Sequence, residues 1–242
     1  MRTLARRVVF LVALLSLAAA ARAGIVAALS PAEVAYGLSI DWSLVGSDGD
    51  FIPQPFAVPM SAQISATVSL PSDTDLMRVD EGTSWLGDFA PGTALLWTNW
   101  DPGPLQFVFN APIRAFGADF QPDFAGGDPP PSFSVTMEAF GTGGISLGSV
   151  SADGYSTMNE DGSALFLGFI SSTVDVSSVE ISVFDELGNA SDFTIDGPVG
   201  GGETVPEPGA GWLAAPALGF LLLRHCRRAS GRSASSSVTC DT

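Results

Sequence analysis

Lysine is absent from this 242-residue chain, histidine occurs once and cysteine twice. His225, Cys226 and Cys240 all fall in the last eighteen residues. The stretch 24–205 therefore holds no histidine and no cysteine. It can form no disulfide, and it excludes zinc sites built on those ligands, Ser-His-Asp and Cys-His machinery, and haem held by histidine. Positive charge is almost as scarce: residues 24–205 carry 24 acidic side chains against Arg78 and Arg114, a net −22. Such a surface repels phosphate backbones, which excludes nucleic acid as a partner. The same stretch shows no sustained 3.6-residue apolar period. What remains is a 46% apolar chain punctuated by 27 glycines and 17 prolines, enough for a real core despite the acidity.

The missing arginines are at the two ends. Arg2, Arg6 and Arg7 precede an apolar stretch, 8–21, broken only by Ser16, and Ala21-Arg22-Ala23 fits a small-x-small cleavage pattern. Residues 1–23 read as a signal peptide for general secretion, cleaved before Gly24. At the other end, Val205, Pro206, Glu207 and Pro208 precede the apolar run 209–223, which is followed by Arg224, Arg227 and Arg228. Fifteen residues make a helix of roughly 22 Å, short against a bilayer core of about 30 Å. The arginines mark a cytoplasmic flank, Trp212 suits the opposite interface, and Pro206 and Pro208 stop the helix from running back.

That order of Pro-Glu-Pro motif, short transmembrane helix and arginine cluster resembles the PEP-CTERM sorting signal. The resemblance implies export, transient inner-membrane anchoring with the C-terminus cytoplasmic, processing by an exosortase, and delivery to the cell surface or beyond. Residues 205–228 would form the signal, 229–242 a disordered tail, and 197–204 a Gly-rich tether ahead of it.

Between the ends the pattern is period two. Residues 62–70 set Ala62, Ile64, Ala66, Val68 and Leu70 on one face, with Gln63, Ser65, Thr67 and Ser69 on the other. Residues 132–140 point Phe133, Val135, Met137 and Ala139 inward, and 105–109 alternate in the same way. Further strands are predicted at 33–45, 94–100, 145–150, 164–170, 178–184 and 192–196, separated by Gly, Asp and Pro turn chemistry. Nine or ten short strands in 24–196 predict one all-β domain, a jelly-roll-like β-sandwich.

The runs FVFNAPIRAFGADF, FSVTMEAFGTGGISLGSVS, ALFLGFISS and VEISVF…DFTIDG resemble the body of many sorted or secreted bacterial β-sandwich proteins. There, P-x-R-A-x-G, A-x-x-x-G-G-x-x-L-G, F-x-G-x-x-S and D-F-x-I-D recur. The resemblance covers about 105–197, implies the fold, and names no catalytic residue.

Three chemistries use residues that are present. Asp185, Glu186, Asn189 and Asp192 crowd one loop, and Asp119, Asp123 and Asp128 flank another. Hard oxygens converging from loops are calcium ligands, though neither run forms a complete calcium-loop motif. Trp42, Trp85, Trp97 and Trp100 offer flat faces for sugar rings, or else core packing. Trp100, before Asp101-Pro102-Gly103, is expected to be the most exposed, and Trp97 and Trp100 are the ligand-binding candidates. Glu138 and Glu180 are the strand carboxylates a glycosidase would need, but both fall on polar faces, so no catalytic residue is assigned and an enzyme is not expected. The leading expectation is an exported, non-enzymatic protein, structural or adhesive in the exopolysaccharide layer. The alternative is a carbohydrate-binding module, with or without calcium.

Overall fold

The computed structural model describes residues 24–34, 37–124, 126 and 129–202. The predicted signal peptide, sorting motif, apolar run, arginine cluster and tail lie outside these residues. No helix among the described residues is long and apolar enough to cross a membrane.

The chain builds two antiparallel sheets facing across one core, a β-sandwich. The first sheet runs β1 (Ile25–Ala28), β12 (Leu165–Ser171), β9 (Ala115–Pro122), β15 (Phe193–Ile195), β7 (Ala94–Trp97), β6 (Leu76–Asp80), β3 (Phe51–Ile52), with β16 (Val199–Gly201) also on β9. The second runs β11 (Ile145–Tyr155), β10 (Ser132–Gly141), β13 (Val176–Asp185), β8 (Leu105–Ile113), β5 (Ser65–Ser69), β4 (Phe56–Pro59), with β14 (Ala190–Ser191) on β13. A short β2 (Gly37–Ser39) lies outside both paths. The alternation in β10 and β8 is as the sequence predicts: Phe133, Val135, Met137, Ala139, Leu105, Phe107 and Phe109 are buried. They meet Phe116, Phe120, Phe169 and Phe193 of the facing sheet in one apolar cluster.

Three sequence expectations are corrected. Residues 33–45 are not one strand: only the short β2 (Gly37–Ser39) within them is extended as a strand. Ser30-Pro31-x-Glu33 has the capping-box spacing with proline at the first helical position, and it opens the one-turn helix α1 (Pro31–Val34). Asp41 then caps a 3-10 turn, Trp42–Leu44, by accepting from the Ser43 amide. The strand predicted from 62 begins only at Ser65, because Met60 and Ser61 donate to the Ile64 carbonyl in a turn that leaves Ala62 exposed. Residues 197–204 are not a free tether throughout: Val199–Gly201 continues β15 along β9 after a break at Asp196–Pro198. Glycine here reflects crowding, since a Cβ on Gly200 would lie 2.7 Å from the Ala115 carbonyl oxygen.

Crowding also explains two motif glycines. Gly117 of P-x-R-A-x-G pairs with Gly168 of F-x-G-x-x-S. A Cβ on Gly117 would meet Phe166 at 2.7 Å, and one on Gly168 would meet Val34 of α1 at 2.9 Å. Arg114 and Ser171 of the same two motifs meet as well: Arg114 Nε donates to the Ser171 carbonyl at 3.0 Å, and the Ser171 amide to the Arg114 carbonyl at 2.7 Å.

Candidate functional site

The outer face of the first sheet is partly covered by loop 81–93. Val79, Trp85, Phe89 and Leu95 form a second apolar cluster there, with Trp97 packed on its edge. Leu96 points the other way, into the core between the sheets. Trp42 and Trp85 are thus packing residues, Trp42 fully buried and donating to the Asp196 carbonyl.

Beyond β7 the chain turns through Thr98–Asp101, closed by the Asp101 amide on the Thr98 carbonyl at 3.1 Å. Asn99 (φ 53°) and Trp100 (φ 68°) are both left-handed. For a bulky tryptophan this conformation costs on the order of 1–3 kcal/mol and persists only where the surroundings enforce it. They do so here: Asn99 donates to the Asp75 carbonyl, and buried Asp101 accepts from the Ser72 hydroxyl and the Gly103 amide. The turn lifts the Trp100 indole into solvent at 73% exposure. Its ring meets Trp97 edge-on at 5.1 Å, and Trp97 in turn meets Trp85 at 5.8 Å.

A carboxylate anchors this aromatic step. Asp192 accepts from Trp97 Nε1 at 3.1 Å. Burial pushes the Asp192 carboxyl above its ordinary value, against the pull of the Trp97 indole and the Trp100 backbone amide. Asp123 stands beside it, pushed up to about 6 by burial, then by the Asp192 charge and a hydrogen bond with it. Four residues after Asp192, Asp196 forms a second such pair with Asp119: the Asp119 amide donates to Asp196 Oδ1 and the Asp196 amide to the Asp119 carbonyl. Burial, then the Asp119 charge, lifts Asp196 to about 8. Both pairs follow from D-F-x-I-D, whose acids are four residues apart on one strand face.

The calcium expectation at 185–192 is therefore corrected. Asp185 is occupied by its own turn, accepting from the Leu187 and Asn189 amides and the Asn189 side chain. Those bonds, the Asn189 side chain first, hold its carboxyl below the usual range. Glu186 is exposed, and Asp192 turns away to Trp97. Of the second loop, Asp119 and Asp123 join different pairs, and Asp128 lies outside the described residues. No group of three or more His, Cys, Asp or Glu side chains converges among the described residues. Glu138 and Glu180 sit opposite one another on β10 and β13, engaged by Ser146 and Gln106 respectively. A hollow of ≈ 360 Å³ at the end of that sheet, lined by Ser134, Asp153, Tyr155, Asp185 and Glu186 among others, includes neither glutamate.

No family model and no curated protein sequence matches the chain. Among solved structures it is similar to a DUF4465 family protein from Bacteroides caccae, at 12% identity and a TM-score of 0.40, over 72% of this chain and 99% of that one. It is also similar to the CBM22-1 xylan-binding domain of Paenibacillus barcinonensis Xyn10C, at 10% identity and a TM-score of 0.29, over 71% and 97%. TmCBM61, solved with β-1,4-galactotriose, shares 13% identity at a TM-score of 0.24 over 54% and 83%. Likenesses this distant concern the strand arrangement only, and no functional reading rests on them.

Proposed function

We propose that the protein is an exported, non-enzymatic β-sandwich that grips polysaccharide through Trp100 and Trp97, delivered to the surface layer by a PEP-CTERM signal at 205–228. The observation that carries the binding reading is the Trp100 indole, 73% exposed on a strained turn and braced edge-on by Trp97. An isolated exposed tryptophan needs no explanation. One held out at a conformational cost, with its neighbour's indole tied to a carboxylate, is built as a stacking surface. Asp192 and Asp123 beside it offer acceptors, and a proton at mildly acidic pH, to sugar hydroxyls. The net −22 of residues 24–205 favours neutral over anionic glycans.

Trp100→Ala is expected to leave the melting temperature within about 2 °C, because little of the ring is buried. It is expected to weaken retention of the protein in glycan-loaded native gels at least tenfold, as loss of one stacking ring of about 1.4 kcal/mol requires. A wild-type protein that no neutral polysaccharide retards would defeat the binding reading. For delivery, the C-terminus of the protein recovered from the cell surface is expected to lie upstream of Gly209, read by mass spectrometry. Recovery of only the intact 242-residue chain from the cytosol would defeat that half.

A further inference from the structure

The first sheet ends on an aromatic ring that the core does not use. In the two-residue edge strand β3, Ile52 enters the core while Phe51 faces outward at 59% exposure. Phe51 lies directly across from Met77, and Met77 directly across from Trp97. All three share the outer face, since their strand neighbours Ile52, Leu76 and Leu96 belong to the core between the sheets.

Two residues further along the same strands, Val79 faces Leu95, and both are buried with Trp85 and Phe89 of loop 81–93. The cover ends there. Met77 and Trp97 are half-buried at its margin, and Phe51 stands outside that cluster. The turn carrying Trp100 sits at the same end of the sheet, because Asn99 donates to the carbonyl of Asp75, the residue before β6. An open apolar row therefore runs from the Trp100–Trp97 step across Met77 to Phe51. Neighbouring strands are about 4.8 Å apart, which sets Trp97 and Phe51 about 10 Å from one another.

The rim of this row is acidic. Asp50, just before Phe51, and Asp75 are exposed, and Asp192 holds Trp97. Of the two arginines among the described residues, Arg78 is buried and paired with Asp80, and Arg114 is bonded to the Ser171 carbonyl. Such a rim accepts hydrogen bonds from hydroxyls and repels uronate or sulfate groups.

We propose, resting on the glycan reading of Trp100 and Trp97, that Phe51 is a second stacking platform, so that the site takes an internal stretch of an extended, neutral, β-1,4-linked glycan. In such a chain every second ring turns the same face to one side, and rings one disaccharide apart match the separation of the tryptophan step from Phe51. Two platforms on one sheet make the second contact intramolecular, so affinity grows with chain length.

The test titrates the full purified chain with cello-oligosaccharides of two to six units. Wild-type affinity is expected to rise at least tenfold from disaccharide to tetrasaccharide. Phe51→Ala is expected to abolish that rise while leaving disaccharide binding unchanged, and to keep the melting temperature within about 2 °C because the ring is mostly exposed. Phe51→Trp is expected to keep the rise, and Trp100→Ala to weaken binding at every length. A rise that survives Phe51→Ala while Trp100→Ala weakens binding would overturn the role of Phe51 and leave the Trp100 reading standing. So would a wild type that binds none of these oligosaccharides yet is retarded by another neutral polysaccharide. Retardation by none would defeat both. Phe51→Ala that halves the mass in solution with the length dependence intact would make the row a contact between copies, which also overturns the proposal.

Discussion

Asp88→Ala is expected to lower the melting temperature by roughly 10 °C, the largest effect of any polar substitution in the described body. Asp88 is buried, and its carboxylate accepts from the Thr157 amide at 2.7 Å, the Thr157 hydroxyl, the Asn159 amide and the Gln121 side chain at 3.3 Å. Gln121 returns the contact, its Oε1 accepting the Asp88 amide at 2.6 Å, and reaches on to Ser156 and the Thr157 carbonyl. Removing the carboxylate leaves several buried donors without acceptors, each costing about 1–3 kcal/mol. A total of about 3–4 kcal/mol corresponds to roughly 10 °C for a domain of this size. Asp88→Asn keeps one acceptor oxygen and is expected to lose about half as much. Hydrogen exchange should show the opening confined to 81–93 and 156–164. Unchanged protection of those loops in Asp88→Ala would mean the network is ornamental to stability.

Asp196→Asn is expected to raise stability at pH 8 and to flatten its dependence on pH. The folded state lifts the Asp196 carboxyl from 3.8 to about 8, through burial first and the Asp119 charge second. Between those values the native protein holds a proton that the unfolded chain releases, so stability falls as pH rises from about 4 to 8 and then levels. Asp123, raised to about 6, adds to the lower half of that slope. Asparagine carries no charge to suppress, and its Oδ1 can accept the Asp119 amide as Asp196 Oδ1 does at 3.1 Å. The gain at pH 8 is on the order of 2 kcal/mol, or about 4–8 °C. Melting curves at pH 5 and pH 8 check it: the wild type should melt lower at pH 8, and the variant should lose most of the difference. An equal drop in both would place the titrating group elsewhere.

The candidate site was half legible in the chain. A tryptophan ahead of Asp101-Pro102-Gly103 announces an exposed turn, and Trp100 is exposed. Asp192 was legible as an important acid but assigned to the wrong neighbours. Its sequence neighbours Asp185 and Asn189 satisfy each other within a five-residue turn, while its own partner, Trp97, lies 95 positions away. The Asp88–Gln121 network carries no local signal at all, because thirty-three positions separate the two and only the folded sandwich brings them together. The helical turn at 31–34 was legible in Ser30-Pro31-x-Glu33, but the apolar residues around it read as a strand.

Side-chain alternation along a strand and the φ demands of a turn are local, so composition and period two suffice for an all-β body without histidine or cysteine. They place Phe133, Val135, Met137 and Ala139 inward without knowledge of any partner. Strand order, the meeting of Gly117 with Gly168, and the return of Val199–Gly201 to β9 were decided only by the tertiary structure. So were the carboxylate pairs and the bracing of Trp100. Each depends on which distant segment pairs alongside, and that choice is settled by burial summed over the whole sandwich rather than by any stretch of chain alone.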